Sequence, residues 1–300
     1  MSNPLITVFG ATGEQGGSVA RSLLQKGGWR VRGVTRNPDS DKAKALKALG
    51  IEVVKASLDD KASVKEAIRG SHGVFLVTNF WELLDAARET KQGKDAADAC
   101  VEEGVKHLIY SGLSPAKKLS GLSVPHFDAK AEVEDYLPTI GIPYTSVRYP
   151  FYYENLSGGM GMTQKQEDGS FLVIIPMETH PLYAMSVADG GPAVAEIFKN
   201  RDEYIGKLVG LAADYKPVGH YTDMITKHTT KTVKHADKLT SDEFAAFGFP
   251  AADEIANMFR YFQTDHFHRL KDVALTKKLN PCAQSFEDWV KANKERFESM

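Results

Sequence analysis

The feature that most constrains the fold is a strand-like run that breaks into regularly spaced glycines. Leu5-Ile6-Thr7-Val8-Phe9 is apolar and partly β-branched, and Gly10-Ala11-Thr12-Gly13-Glu14-Gln15-Gly16-Gly17 follows it directly. Helical spacing then runs through Val19, Ala20, Leu23 and Leu24. A buried parallel strand, a tight turn and a helix N-terminus produce this order. Such a turn receives a phosphate, because backbone N–H groups and the positive end of the helix dipole converge on one point. Gly10 permits the sharp turn, Gly13 lets a pyrophosphate approach the backbone, and Gly16 lets helix and strand pack closely. Thr12 adds a hydroxyl donor. The expectation is a bound dinucleotide.

The remainder of the first half repeats strand and helix patterns. Strands are predicted at Leu5–Phe9, Arg30–Thr35, Glu52–Lys55, Val74–Thr78, His107–Ser111 and Tyr144–Arg148. Helical spacing occupies Ser18–Lys26, Asp41–Leu49, Lys61–Ile68, Leu83–Glu103 and Lys130–Thr139, with glycines just past each segment. Repeated βα units of this length need a parallel sheet covered on both faces. The fold class is therefore α/β, a Rossmann doubly wound parallel sheet with a smaller, mainly helical C-terminal lobe. Residues 1–150 form the dinucleotide-binding domain, to which 187–211 return. Residues 151–186 and 212–300 form the smaller lobe, read as closing over the strand ends where such sheets bind ligands.

Charge and composition remove other classes. A formal net charge of -2 leaves no electrostatic case for nucleic acid or an anionic membrane as the main ligand. The apolar run Phe171–Ile175 is closed by Pro176, and no run approaches membrane-spanning length. The first strand begins within five residues, which leaves no room for a targeting peptide. Cys100 and Cys282 lack metal-ligand pairing, so no metal site is expected. The chain reads as cytoplasmic, and as nuclear too if its source is eukaryotic.

The second strand decides which dinucleotide. An acidic residue at its end would accept from a ribose 2′-OH, whereas an arginine accommodates a 2′-phosphate. Here Val31-Arg32-Gly33-Val34-Thr35 ends in Arg36-Asn37, and the first carboxylate is Asp39. The planar fork of Arg36 suits a phosphate, against the alternative of a surface arginine at a strand end. Lys42 is a weaker second candidate. After the third strand, Asp59 could meet adenine, while Asp60 reads as a helix cap. The fourth strand ends in Thr78-Asn79-Phe80-Trp81, two polar groups and a ring where ribose and phosphates should lie.

These residues resemble a known group. The glycine turn, Val34-Thr35-Arg36-Asn37-Pro38, Val77-Thr78-Asn79-Phe80-Trp81-Glu82, Lys91-Gln92-Gly93-Lys94, Tyr110-Ser111-Gly112-Leu113, His126-Phe127-Asp128-Ala129-Lys130 and Glu154-Asn155-Leu156 are similar to the NmrA-like branch of the atypical short-chain dehydrogenase/reductases. The resemblance spans nearly the whole chain. It implies NADP(H) held by Gly10, Ala11, Thr12, Gly13, Glu14, Gln15 and Gly16, by Arg36 and Asn37, and by Thr78, Asn79 and Phe80. It extends the cofactor contacts to Lys91, Lys130 and the segment Tyr152, Tyr153, Glu154, Asn155.

Whether the cofactor reacts is a separate question. A typical short-chain reductase uses a tyrosine as general acid, a lysine four residues on and a serine that polarises the carbonyl. The corresponding pair here is His126 and Lys130, with Ser111 as the serine candidate. In one reading His126 or Lys130 moves the proton and a small carbonyl, quinone or enone is reduced. In the other Lys130 holds the nicotinamide ribose, His126 is a helix-start residue, and no turnover occurs. The missing tyrosine favours the second, an NADPH/NADP redox sensor of the transcriptional-regulator kind. Cofactor bridging the two lobes would favour a closed arrangement, which a regulatory protein partner reads. A small-molecule substrate in the inter-lobe cleft belongs to the enzymatic alternative. Either a monomer or a homodimer fits the sequence.

Overall fold

Leu5–Val8 (β1) is buried along its whole length, as a strand covered on both faces must be. The computed structural model describes residues 3–158, 161–268, 271–298 and 300. After β1 the chain runs through Glu14–Lys26 (α1), Arg30–Thr35 (β2), Asp41–Ala48 (α2), Glu52–Lys55 (β3), Lys61–Ile68 (α3) and Gly73–Leu76 (β4). Phe80–Leu83 (α4), Ala86–Glu102 (α5), His107–Ser111 (β5) and, beyond the helix Pro125–Tyr136, Tyr144–Arg148 (β6) complete the series.

The central sheet has seven strands in the order Leu208–Gly210, β6, β5, β4, β1, β2, β3. Every pairing among β1 to β6 is parallel, with Ile6 opposite Val31 on one side and Gly73 on the other. The order reverses between β1 and β4, so their connections leave in opposite directions and open a crevice at their carboxyl ends. The expected doubly wound sheet is the observed one, with mainly helical structure toward the C-terminus.

Alternation along β4 and β5 serves both faces. Val74, Leu76, Leu108 and Tyr110 pack with Ala96, Ala97 and Cys100 of α5 and Val133 of the helix Pro125–Tyr136. On the other face the His107 ring meets Phe198 at 5.4 Å between centroids, and Ser18 Oγ of α1 donates to Ala188 O at 2.6 Å. Each large apolar side chain buried this way contributes roughly 2 kcal/mol.

Several boundaries differ from the sequence pattern. The expected helix Leu83–Glu103 is two helices, because Leu84 turns left-handed at φ 49° and Asp85 caps α5 by accepting from Arg88 N. The helix expected at Lys130–Thr139 starts at Pro125, and Pro138 ends it in a 3-10 turn, Leu137–Ile140. Near the C-terminus the chain forms two short helices, Phe286–Ala292 and Glu295–Glu298.

The chain clusters into two units, residues 1–115, 126–148 and 187–209 in one, and 116–125, 149–186 and 210–300 in the other. Residues 116–125, which the sequence pattern left inside 1–150, thus cluster with the second unit. That unit has two three-stranded sheets and an aromatic core in which Tyr153, Tyr221 and Phe286 are fully buried. Phe259, Tyr261 and Phe262 are buried as well, whereas Phe249 is 37% exposed. Among the described residues no helix is long and apolar enough to cross a membrane. No three His, Cys, Asp or Glu side chains among them converge as a metal site.

Candidate functional site

The crevice is lined first by the β1–α1 turn. Gly10 has φ +63°, a conformation that a side chain makes costly, and its carbonyl accepts from Gly13 N at 2.8 Å. A Cβ on Gly16 would stand 2.4 Å from Gly10 O, so only glycine lets α1 start this close to the strand end. Gly13 caps α1 without any side-chain hydrogen bond, and the first helical turn therefore offers its N–H groups at the mouth of the turn. Ala11 N is held by Val34 O at 3.3 Å, and Thr12 Oγ1 lies 3.4 Å from Thr35 Oγ1. Glu14, in the same first turn, is exposed. A backbone cradle open to an anion is the result.

Ser111, at the end of β5, donates to Gln15 Oε1 at 2.6 Å. That bond ties it to the glycine turn, away from the role of carbonyl polariser beside His126.

At the end of β2, Arg36 is 66% exposed and pairs through Nη1 with Glu82 Oε1. Asn37 forms a local turn, its Oδ1 accepting from Asp39 N at 3.1 Å. Asp59, a candidate for adenine, accepts a bidentate pair from Arg88 at 2.9 and 2.7 Å and a third bond from Gln92 at 2.8 Å. These bonds, Arg88 first, pull its carboxyl pKa down to about 2. Asp60 caps α3 as expected, accepting from Ala62 N and Ser63 N. Lys42 lies exposed on α2.

Beyond β4 the polar groups close on one another. Lys130 Nζ donates to Thr78 O at 2.8 Å, to Thr78 Oγ1 at 2.8 Å and to Glu89 Oε1 at 2.6 Å. An ammonium has three N–H donors, and all three are taken. Glu89 is fully buried on α5 and also accepts from the Thr78 hydroxyl at 2.7 Å. Burial lowers the Lys130 pKa, although the Glu89 charge opposes the shift. Asn79 is exposed and reaches Glu82 Oε2 only at 3.5 Å.

His126 is the second residue of its helix and 5% exposed, packed against the rings of Trp81 at 4.8 Å, Phe127 at 4.9 Å and Phe80 at 5.8 Å. It stands in an aromatic nest, with Phe80 itself buried. Tyr110 on β5 is fully buried, and that burial raises its phenol pKa well above the ordinary value.

Two groups of candidates remain. Lys91 points outward from α5, 74% exposed and paired with Asp95 one helical turn on. In the second unit Tyr153 is a core side chain, donating to Asp214 Oδ2 at 2.8 Å and packing on Phe286 at 4.9 Å between centroids. Its ring is thus unavailable to a cofactor, which leaves only its backbone for that role. Tyr152 and Asn155 are half-buried, and Glu154 Oε1 accepts from Ser186 Oγ at 2.7 Å.

A family model, the NmrA-like family, matches residues 2–290. The chain belongs to the NmrA-like family. Among its relatives, the NmrA-like family domain-containing oxidoreductase himF of Aspergillus japonicus is 31% identical over 277 residues, covering 86% of this chain and 83% of its own. In structure, the chain is similar to NmrA, a negative transcriptional regulator, with a TM-score of 0.84 at 21% identity, over 99% of this chain and 98% of that one. It is also similar to the NADPH-dependent quinone oxidoreductase QOR2 of Escherichia coli, with a TM-score of 0.77 at 26% identity, over 96% and 99% of the two chains.

Sequence reasoning missed Glu89 and gave Glu82 no role. Glu89 falls inside the expected helix Leu83–Glu103 without any signal of its own, and only the tertiary contact with Lys130 shows why it is buried. Glu82 had a usable signal, a carboxylate four residues after the Thr78-Asn79 strand end that faces the crevice.

Proposed function

We propose that this NmrA-like protein binds NADP(H) and uses its occupancy as a signal. The residues fit the group. The uncapped turn at Gly13 is a cradle that a Cβ would fill, since it would come within 3.3 Å of Gly10 O, and a pyrophosphate can approach there. Arg36 presents an exposed guanidinium at the end of β2, where a 2′-phosphate separates NADP(H) from NAD(H). The QOR2 structure was obtained with NADPH, which agrees with this assignment.

The observation that carries the signalling reading is the saturation of Lys130. With its donors on Thr78 and Glu89, it holds the β4 exit loop in place and has none left for a reacting carbonyl. His126 sits among rings, and Ser111 is bound to Gln15. Occupancy then favours one arrangement of the crevice, and a regulatory protein partner that binds that arrangement reads the cofactor level through linkage.

A second reading has its own support, since himF and QOR2 are both named oxidoreductases. Bound NADPH would supply a hydride, and Lys130 would have to exchange Glu89 for a substrate or ribose hydroxyl. Screening quinones, aldehydes and enones for NADPH oxidation separates the two. The signalling reading expects no turnover above the rate without protein, together with altered proteolysis of the chain when NADPH is added. Steady turnover that Lys130→Ala abolishes would overturn it in favour of the reductase.

A further inference from the structure

Two arginine–carboxylate pairs stand at this rim, and they differ in kind. Arg88 grips Asp59 with two parallel bonds, and Gln92 adds a third to the same carboxylate. This pair is locked. Arg36 touches Glu82 through Nη1 alone, and their side chains are 66% and 39% exposed. An exposed, single-armed pair contributes at most about 1 kcal/mol, so another anion can replace the carboxylate. Glu82 also rides on α4, a single turn of four residues that ends at the left-handed Leu84. Its other contact is a long approach of Asn79 Nδ2 to Oε2 at 3.5 Å.

We infer that Glu82 is a specificity-determining residue, an internal anion that holds the 2′-phosphate seat on Arg36 and narrows the preference for NADP(H) over NAD(H). The inference rests on the assignment of Arg36 to the 2′-phosphate. Glu82 Oε1 sits on Nη1 of Arg36, so a phosphate bound through the other guanidinium N–H groups would stand beside that carboxylate. A 2′-phosphate must either displace Glu82 or tolerate its like charge alongside. A ribose 2′-hydroxyl imposes neither cost, because it is neutral and can donate to the carboxylate while Glu82 stays on Arg36. One residue pair thus reads both cofactors. Arg36 attracts the phosphorylated form, and Glu82 taxes it.

The test is titration of the full chain with NADPH and with NADH, for the parent protein, Glu82→Gln and Arg36→Ala. Glutamine keeps the shape of the side chain and removes the charge. Glu82→Gln should tighten NADPH about three- to fivefold and leave NADH unchanged or weaker, so that the ratio of the two affinities rises. An unchanged ratio, with Arg36→Ala still selectively weakening NADPH, would overturn the role of Glu82 and leave Arg36 standing. Equal weakening of both cofactors by Arg36→Ala would remove the assignment of Arg36 itself, and the inference with it.

Discussion

Glu89 Oε1 lies 2.6 Å from Lys130 Nζ, and the same oxygen accepts the Thr78 hydroxyl at 2.7 Å. The lysine that the family resemblance ties to the cofactor is therefore also the internal counterion of a buried carboxylate. It joins α5, the exit of β4 and the helix Pro125–Tyr136 in one polar knot.

Breaking that knot from one side should cost more than removing it. Lys130→Met leaves Glu89 buried without its counterion, and the expected loss is about 3–5 kcal/mol in urea unfolding. Adding Glu89→Gln to the same chain should recover much of that loss, because the uncompensated charge is gone. A loss below about 1 kcal/mol for Lys130→Met alone would show that the pair contributes little.

Gly13 and Gly16 should respond differently to a methyl group. At Gly16 the new Cβ would lie 2.4 Å from backbone, so Gly16→Ala must shift α1 against β1 and lower both the melting temperature and cofactor affinity. At Gly13 the closest atom would be 3.3 Å away and φ is -92°, which any residue adopts. Gly13→Ala should cost under about 1 kcal/mol of stability while weakening NADPH at least about tenfold, by filling the pyrophosphate approach. Thermal melts paired with titrations distinguish the two variants, and equal behaviour would contradict the cradle.

Stability should fall in mild acid partly through His107. Its Nε2 shares a hydrogen bond with Thr145 Oγ1 at 2.8 Å, and burial pushes its pKa down from 6.5 to about 4. The unfolded chain then binds the proton more readily than the folded one. The neutral form's advantage is fully present above pH 6.5 and is lost progressively as pH falls toward 4. At pH 5 the loss is about 2 kcal/mol relative to neutral pH. Urea midpoints at both pH values should diverge less for His107→Gln than for the parent, and identical slopes would exclude His107 as a contributor.

The sheet was legible because each strand carries its own signal. Arg30–Thr35, Glu52–Lys55, His107–Ser111 and Tyr144–Arg148 form at the limits their apolar runs set, as does Lys61–Ile68. The glycine spacing located the crevice for the same reason, since the constraints on Gly10 and Gly16 are local. The break at Leu84 was hidden, because a leucine in a left-handed conformation has no composition signal, although Asp85 did offer a cap. The partners of Lys130 and Arg36 were hidden more deeply. Glu89 and Glu82 lie 41 and 46 positions from them in sequence and meet them only through the fold. Tyr153 is a motif residue whose ring the aromatic core of its own unit claims, a tertiary contact no motif announces.

The most direct test of the account is the pair of affinities for NADPH and NADH in the parent chain and in Arg36→Ala. A charge-assisted bond from a guanidinium to phosphate contributes about 1.5–3 kcal/mol, so the variant should bind NADPH about 10- to 100-fold more weakly. NADH, which lacks the 2′-phosphate, should change by less than about threefold, in keeping with a minor exposed contact. Equal losses for both, or no loss for NADPH, would contradict an NADP(H)-reading protein.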